Sequence, residues 1–226
     1  MKSKPFVFTT WDPALAEEEI SQIMVSLNDR ADFHELETSG LLSIKNYEIL
    51  KEYSSTDLLR AYHCGSENRF MLIFASLELL RKNNNVQYSS DPHLPYSSTV
   101  IDADGTLTRA RMYSEKNLCI LGYKKLQSAY GDVLIRPETM ADRIVELVEG
   151  KEILFPDHPD FNKKYLVLAK DVDLFTSAVT DEFLSAIEKL DRANIEIHNQ
   201  HLLILFKSVA TLGIAQALNG FLLGIS

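Results

Sequence analysis

Cysteine is scarce in this chain of 226 residues. Cys64 and Cys119 are far apart and form no CxxC pair, so the sequence does not indicate a disulfide framework. Free thiols fit a reducing compartment, and we therefore expect a cytoplasmic protein. Cys119 lies in the apolar run at residues 118–121, which predicts a buried structural thiol.

Long apolar runs are also rare. Residues 5–8 are too short for the apolar core of a signal peptide. Residues 208–226 contain no charged side chain, and this length approaches the roughly 20 residues that a membrane-spanning helix needs. Gln216, Asn219 and three glycines lower the hydropathy of the segment. We predict a mostly buried final helix, with a membrane tail or a surface for a partner helix as the alternatives.

Positive charge is in the minority, because 23 Lys and Arg face 32 Asp and Glu, for a net charge of -9. This balance disfavours binding to nucleic acid and to anionic membrane surfaces, since both carry negative charge. The composition, with 46% hydrophobic and 24% charged residues, is typical of a globular protein with a sizeable core.

The motifs of common catalytic and cofactor sites are missing from the sequence. It contains no Gly-rich phosphate loop, no G-x-S-x-G and no H-E-x-x-H. No set of nucleophile, base and oxyanion donor can be assembled from the residue pattern. The sequence therefore predicts no cofactor and no metal ion.

The elements that are present change in character near residue 90, and we predict two parts, residues 1–90 and 91–226. The first part is predicted to be rich in helices. Its first helix starts at Asp12-Pro13, because Asp is a good N-cap and Pro suits the first helical position. Three more helices are predicted over residues 41–53, 54–62 and 66–82, although residues 70–74 also alternate like a strand.

The second part is predicted to be an α+β domain of mostly antiparallel strands with helices between them. Helices are predicted from Pro137 onwards and over residues 180–190. Strands are predicted over residues 99–103, 106–112, 117–123, 132–136, 153–155, 164–170, 195–198 and 202–206.

The sharpest local motif is Asp-Ala-Asp-Gly-Thr at residues 102–106. It resembles the first motif of haloacid-dehalogenase-type hydrolases, D-x-D-G-T after an apolar strand. The resemblance implies that Asp102 is the nucleophile, that Asp104 is the general acid and base, and that Mg²⁺ screens the phosphate. Asp-Gly between two strand-like stretches is also a preferred hairpin turn, and we favour this interpretation because it explains every residue without chemistry.

Two pairs of residues are weaker candidates for metal or thiol chemistry. His63 adjoins Cys64, and His198 and His201 flank a turn. Neither pair has an evident third ligand, so we predict a helix break at His63 and exposed turn residues at His198 and His201. Asp171 is interpreted in the same way, as a residue that caps the start of a helix.

Residues from about 120 to 210 largely follow an ordered pattern of D-P-x-F-x-K/R-x-F/Y-x-V, an Asp, an L/F-T stretch, a helix and two closing strands, with His158 in place of the first Asp. Here the pattern starts within residues 158–167 and continues with Asp171 and Phe175-Thr176. In this order the chain resembles an uncharacterised family of bacterial proteins, many of which are tethered by membrane helices. The resemblance implies an α+β domain and no known reaction.

The function predicted from these observations is that of a non-catalytic binding or scaffolding protein that acts through protein–protein contacts. The expected partner is a protein, with self-association through the apolar C-terminal helix as one form of that contact. The alternative is a Mg-dependent phosphohydrolase of the haloacid-dehalogenase type that uses Asp102 and Asp104.

Overall fold

The computed structural model describes residues 11–28, 31–65, 70–83, 97–101, 107–137 and 150–225. The helices among these residues are α1 (Pro13–Asn28), α2 (Glu48–Lys51), α3 (Pro159–Lys164), α4 (Val172–Ala178), α5 (Asp181–Glu188) and α6 (Leu212–Gly224), and a 3-10 segment (Thr38–Asn46) precedes α2. The strands are β1 (Phe33–Leu36), β2 (Ser55–Cys64), β3 (Phe70–Asn83), β4 (Ser97–Ile101), β5 (Leu107–Lys125), β6 (Asp132–Pro137), β7 (Lys151–Ile153), β8 (Tyr165–Ala169), β9 (Ala193–His198) and β10 (His201–Phe206).

The strands form one ten-stranded sheet in the order β1-β2-β3-β5-β10-β9-β6-β8-β7, with β4 pairing β5 beside this path. Every pair in this order is antiparallel. A mixed α+β fold with a large antiparallel sheet is thus confirmed. Because β3 pairs directly with β5, the predicted parts 1–90 and 91–226 do not have separate sheets.

Different elements cover the two faces of the sheet. Helices α1, α5 and α6 pack on one face, which we call the α6 face. The 3-10 segment and α2 cover the other, the α2 face. Because side chains alternate along a strand, β9 presents Ile195 and Ile197 to the α6 face and Glu196 and His198 to the α2 face.

The N-terminal part contains less helix than predicted. The helix at Asp12-Pro13 is confirmed as α1, and Asp12 Oδ1 accepts a hydrogen bond from the backbone N–H of Ala14 at 2.9 Å. The helices predicted over residues 54–62 and 66–82 are wrong, since residues 55–64 form β2 and residues 70–83 form β3. The predicted helix 41–53 is a 3-10 segment followed by the single turn of α2.

The burial of β3 explains the error. Phe70, Leu72 and Phe74 belong to the core on the α6 face. Ile73, Ala75 and Leu77 belong to the core on the α2 face. A strand that is buried on both faces is a continuous apolar run, and periodicity alone does not distinguish such a run from a buried helix.

The C-terminal part follows the prediction more closely. The strands β6, β8, β9 and β10 and the helix α5 lie where the pattern placed them. The strands predicted over residues 106–112 and 117–123 correspond to one continuous strand, β5, which spans residues 107–125. Asp171 caps α4 as predicted, because its carboxylate accepts a hydrogen bond from the backbone N–H of Leu174 at 3.0 Å.

The final helix α6 is buried on one side only, so the prediction of a mostly buried helix holds only in part. The buried residues are Ala215, Leu218, Asn219, Phe221 and Leu222. The helix packs so closely on β5 that a Cβ added at Gly122 would lie 3.0 Å from the side chains of Leu218 and Leu222. Leu212 and Leu223 are the exposed large apolar side chains of α6. In the described ranges, no helix is both long enough and apolar enough to cross a membrane.

Candidate functional site

Glu196 is a buried carboxylate near the centre of the sheet, with 3% of its side chain exposed. Its oxygens accept hydrogen bonds from the backbone N–H groups of Glu48 at 2.9 Å and Ile49 at 2.8 Å. These are the first two N–H groups of α2, and a helix offers its first N–H groups no internal partner. Glu196 therefore attaches α2 to the middle of the sheet.

His198 lies between two carboxylates on the same face. Its Nε2 is 2.7 Å from Glu196 Oε1, and its Nδ1 is 3.1 Å from Asp132 Oδ1 on β6. The hydrogen bond with Glu196 raises the pKa of His198, and Asp132 adds to this shift, although burial opposes it. The two carboxylates favour the doubly protonated ring, and in that form His198 has no lone pair for a metal ion or for a substrate proton.

Asp132 continues this series of charges to Lys170, whose Nζ is 3.0 Å from Asp132 Oδ2. Burial disfavours the ionised form of Asp132, but hydrogen bonds from Lys170 and His198 outweigh burial and lower its pKa. We call Lys170, Asp132, His198 and Glu196 the charged row. It joins the end of β8 to β6, to β9 and to α2, so its evident role is to hold these elements together.

His201 lies opposite His198 in the β9–β10 pair but has different partners. The Nδ1 of His201 is 2.6 Å from the Tyr123 hydroxyl, and Tyr47 donates to the His201 carbonyl at 3.3 Å. Both histidines flank the turn at residues 199–200 as predicted, but they are the end residues of strands and are partly buried rather than fully exposed. Nothing in the described part of the chain groups three or more His, Cys, Asp or Glu side chains around a metal position.

The described residues offer no activated nucleophile beside the charged row. The His198 ring makes its hydrogen bonds to the two carboxylates. Burial raises the pKa of the Cys119 thiol to about 12, so Cys119 is the structural thiol that its sequence context predicted. The charged row thus has the residue types of a catalytic site. Each of its members, however, already pairs with another member or accepts the N–H groups of α2.

Two cations, one buried and one partly buried, lie further along the α2 face. Arg136 is 5% exposed, and its Nε has no hydrogen-bond partner in the described structure. Lys207 pairs with Glu52 at 2.5 Å. Burial lowers the pKa of both cations, Glu52 opposes this shift, and Arg136 lowers the pKa of Lys207 further. Positive charge is therefore only partly compensated here.

A pocket of about 560 Å³ opens where β9 begins and β10 ends, beside the first turn of α6. We call it the end pocket. Its cationic residues are Lys189, Arg192 and Lys207, and Asp191 is the acid among its described lining residues. Its apolar walls come from Pro137, Leu190, Phe206, Ile214 and Ala217.

The N-terminus of α6 adds to the positive character of the end pocket. Gly213 in its first turn lines the pocket, and this turn contains no acidic residue. Thr211 accepts a hydrogen bond from the N–H of Ile214 at 3.3 Å, which leaves the N–H groups of Leu212 and Gly213 without a partner inside the helix. Such N–H groups and the helix dipole favour an anion at this position.

Asp102 and Asp104 lie outside the described residues. The flanking strands β4 and β5 pair antiparallel, with Ile101 opposite Leu107, as the hairpin interpretation requires. Both the turn itself and a catalytic role for the two carboxylates stay predictions.

Sequence reasoning missed the charged row and the end pocket. The available signal was the alternation of Asn194, Glu196 and His198 within the otherwise apolar strand β9. The partners of these residues come from β6 and α2, which the spacing of β9 does not identify. Comparisons with protein-family models, with curated proteins and with solved structures found no match, so the site is interpreted from its own geometry.

Proposed function

We propose that this chain is a non-catalytic binding protein and that it holds an acidic segment of a partner protein in the end pocket. The observation that carries the proposal is the charge of this pocket. In a chain of net charge -9, Lys189 and Arg192 line one cavity beside a helix N-terminus, together with Lys207, which is paired with Glu52. Asp191 is the acid among the described lining residues. Such an arrangement attracts carboxylates, which the rest of an acidic surface repels.

The walls of the end pocket support a peptide rather than a simple anion as the ligand. Leu190, Phe206 and Ile214 supply apolar surface next to the cations. A volume of about 560 Å³ lies within the range of roughly 300–1,000 Å³ that is typical of ligand pockets. An acidic segment that also carries an apolar side chain would use both the cations and the apolar wall, whereas inorganic phosphate would use the cations alone.

The hydrogen bonds and ion pairs within the charged row support a non-catalytic role for this chain. Its members already satisfy one another and the start of α2, and the thiol of Cys119 is buried and protonated. The burial of Leu218 and Leu222 in the core also favours the end pocket over α6 as the contact surface. Self-association through the exposed Leu212 and Leu223 is tested by the molecular mass in solution.

The proposal is tested by fluorescence anisotropy with a labelled ten-residue peptide of glutamate and leucine. We expect binding that weakens with salt, because exposed charges are screened over about 10 Å at 0.1 M. The double variant Lys189→Gln, Arg192→Asn should bind at least about tenfold more weakly, which is a loss of roughly 1.4 kcal/mol. Asn is chosen at position 192 because Arg192 has a positive φ of 59° that Asn tolerates.

The matched control is the double variant Lys151→Gln, Lys163→Gln, which removes the same charge from two exposed positions away from the pocket. Equal weakening by both double variants, or no binding by the wild type, would refute the end pocket as the site. If inorganic phosphate displaces the labelled peptide as strongly as unlabelled peptide does, the ligand of the end pocket is a simple anion and not a peptide. If the wild type hydrolyses a phosphate ester in the presence of Mg²⁺ and Asp102→Asn does not, the binding function is refuted. The alternative function, a Mg-dependent phosphohydrolase, would then take its place.

A further inference from the structure

A pair of histidines lies at the opposite edge of the sheet from the charged row. His34 on the edge strand β1 lies directly opposite His63 on β2, and the ring centroids are 5.2 Å apart with an angle of 31° between the planes. The neighbouring Phe33 and Cys64 are buried on the α6 face. By strand alternation both rings lie on the other side of the sheet, where 55% of the His34 side chain is exposed.

The hydrogen bonds of the two rings fix which nitrogen carries the proton in the neutral form. The Nε2 of His34 is 3.1 Å from a carboxylate oxygen of Asp32, and the Nδ1 of His63 is 3.2 Å from the Gly65 carbonyl oxygen. Carboxylate and carbonyl oxygens only accept, so the proton lies on His34 Nε2 and on His63 Nδ1. The lone pairs are then on His34 Nδ1 and His63 Nε2, which make no hydrogen bond in the described structure.

The two groups that orient the rings are themselves joined. The N–H of Gly65 donates to the Asp32 carbonyl at 3.1 Å, and Gly65 adopts a positive φ of 80° that favours glycine. Metal-binding histidines typically donate their second ring nitrogen to a carboxylate or a backbone carbonyl in this way. His34 donates to the carboxylate of Asp32, and His63 donates to the backbone carbonyl of Gly65.

We propose that His34 and His63 together bind one divalent transition-metal ion, with Asp32 and the Gly65 carbonyl as the groups that orient the rings. One ion with metal–nitrogen bonds of about 2.0–2.1 Å can bridge rings at this separation. Imidazole pairs suit Cu²⁺, Ni²⁺ and Zn²⁺. Because the described residues offer no third side-chain ligand, water or a ligand from a partner completes the coordination. This proposal is independent of the end pocket.

The experiment is isothermal titration of the full chain, first stripped with a chelator, with NiCl₂ and separately with ZnCl₂. We expect one ion per chain. His34→Asn and His63→Asn should each weaken binding of the ion at least about tenfold, since both rings hold the same ion. The double variant keeps neither ligand and should bind no more tightly than the weaker single variant. Asp32→Asn should weaken binding by about 10–100-fold while both ligands remain.

The matched control is His158→Asn, since His158 also lies beside a carboxylate, 3.0 Å from Asp181, but faces no second histidine among the residues that the structure describes. It should leave the affinity unchanged. Wild-type affinity in His34→Asn or in His63→Asn would overturn the proposal. So would two ions per wild-type chain that fall to one ion in each single variant, which indicates two separate weak sites. Circular dichroism of each variant separates loss of the site from loss of the fold.

Discussion

The two faces of strand β9 are built from the same backbone but are stabilised in different ways. On the α6 face Ile195 and Ile197 are fully buried among apolar side chains from several helices. On the α2 face Glu196 and Asn194 are buried just as deeply, but they are polar. Apolar burial is non-directional and depends on filling the volume, whereas a buried polar group must meet a partner at a fixed distance and angle.

The α2 face meets this requirement almost completely. Both oxygens of Glu196 accept backbone N–H groups, and both nitrogens of His198 meet carboxylates. The exceptions among the described residues of this face include Asn194 Oδ1 and Arg136 Nε, which have no partner. We infer that the α6 face supplies most of the stability and that the α2 face determines how α2 is placed.

The largest expected effect is a cavity on the α6 face. Phe175 is 0% exposed, and its ring lies 6.1 Å from Tyr130 and 6.2 Å from Phe155. Phe175→Ala should lower the free energy of unfolding by about 3–5 kcal/mol, measured by urea denaturation. The control is Leu154→Ala, since Leu154 is 65% exposed and should change stability little. Similar losses in both variants would contradict the assignment of the core.

A smaller effect is expected from Glu196→Gln on the α2 face. The amide keeps one acceptor oxygen, so one of the N–H groups of Glu48 and Ile49 loses its partner. An unsatisfied buried donor should lower the free energy of unfolding by about 1–3 kcal/mol. The measurement is amide hydrogen exchange, which should accelerate more at residues 48 and 49 than in β10.

Glu188→Gln is the matched control for Glu196→Gln. Glu188 pairs with Lys164 at 3.5 Å at a partly exposed position, so its neutralisation should have almost no effect. Exchange that accelerates uniformly over the whole chain in Glu196→Gln would contradict a local role for Glu196.

The smallest predicted effect is a pH dependence that belongs to the charged row. The pKa of His198 is raised above 6.5, so its stabilisation is complete below pH 6.5 and is lost as the pH rises through the folded-state value. The pKa of Asp132 is lowered below 3.8, so its stabilisation is complete above that pH and is lost as the pH falls through the folded-state value. Both contributions are present together between these two limits.

The measurement is the urea midpoint of the wild type and of His198→Asn from pH 4 to pH 9. The titratable groups around His198 are Lys170, Asp132, Glu196, Glu48, Tyr47 and His201. The wild type should be the more stable protein at pH 5–6, and the difference should narrow above the folded-state pKa of His198. A difference that stays constant with pH would contradict the ion pairs of the row.

Local patterns in the sequence determined the elements whose signals are short-range. Asp12-Pro13 marked the start of α1, and Asp171 marked the start of α4. The turn between β9 and β10 was also readable, and Asn199 there has the positive φ of 56° that Asn tolerates. These features depend on neighbouring residues, so no tertiary information was needed to place them.

Tertiary structure alone decided the strands β2 and β3 and the site. Residues 70–83 are apolar enough for a buried helix, and only pairing with β2 and β5 makes them a strand. Glu196 meets the N–H groups of α2 across 147 and 148 positions of the chain. The sequence by itself determined the α+β class and the apolar face of β9. The partners of the polar face depend on the register between distant strands, which no local pattern encodes.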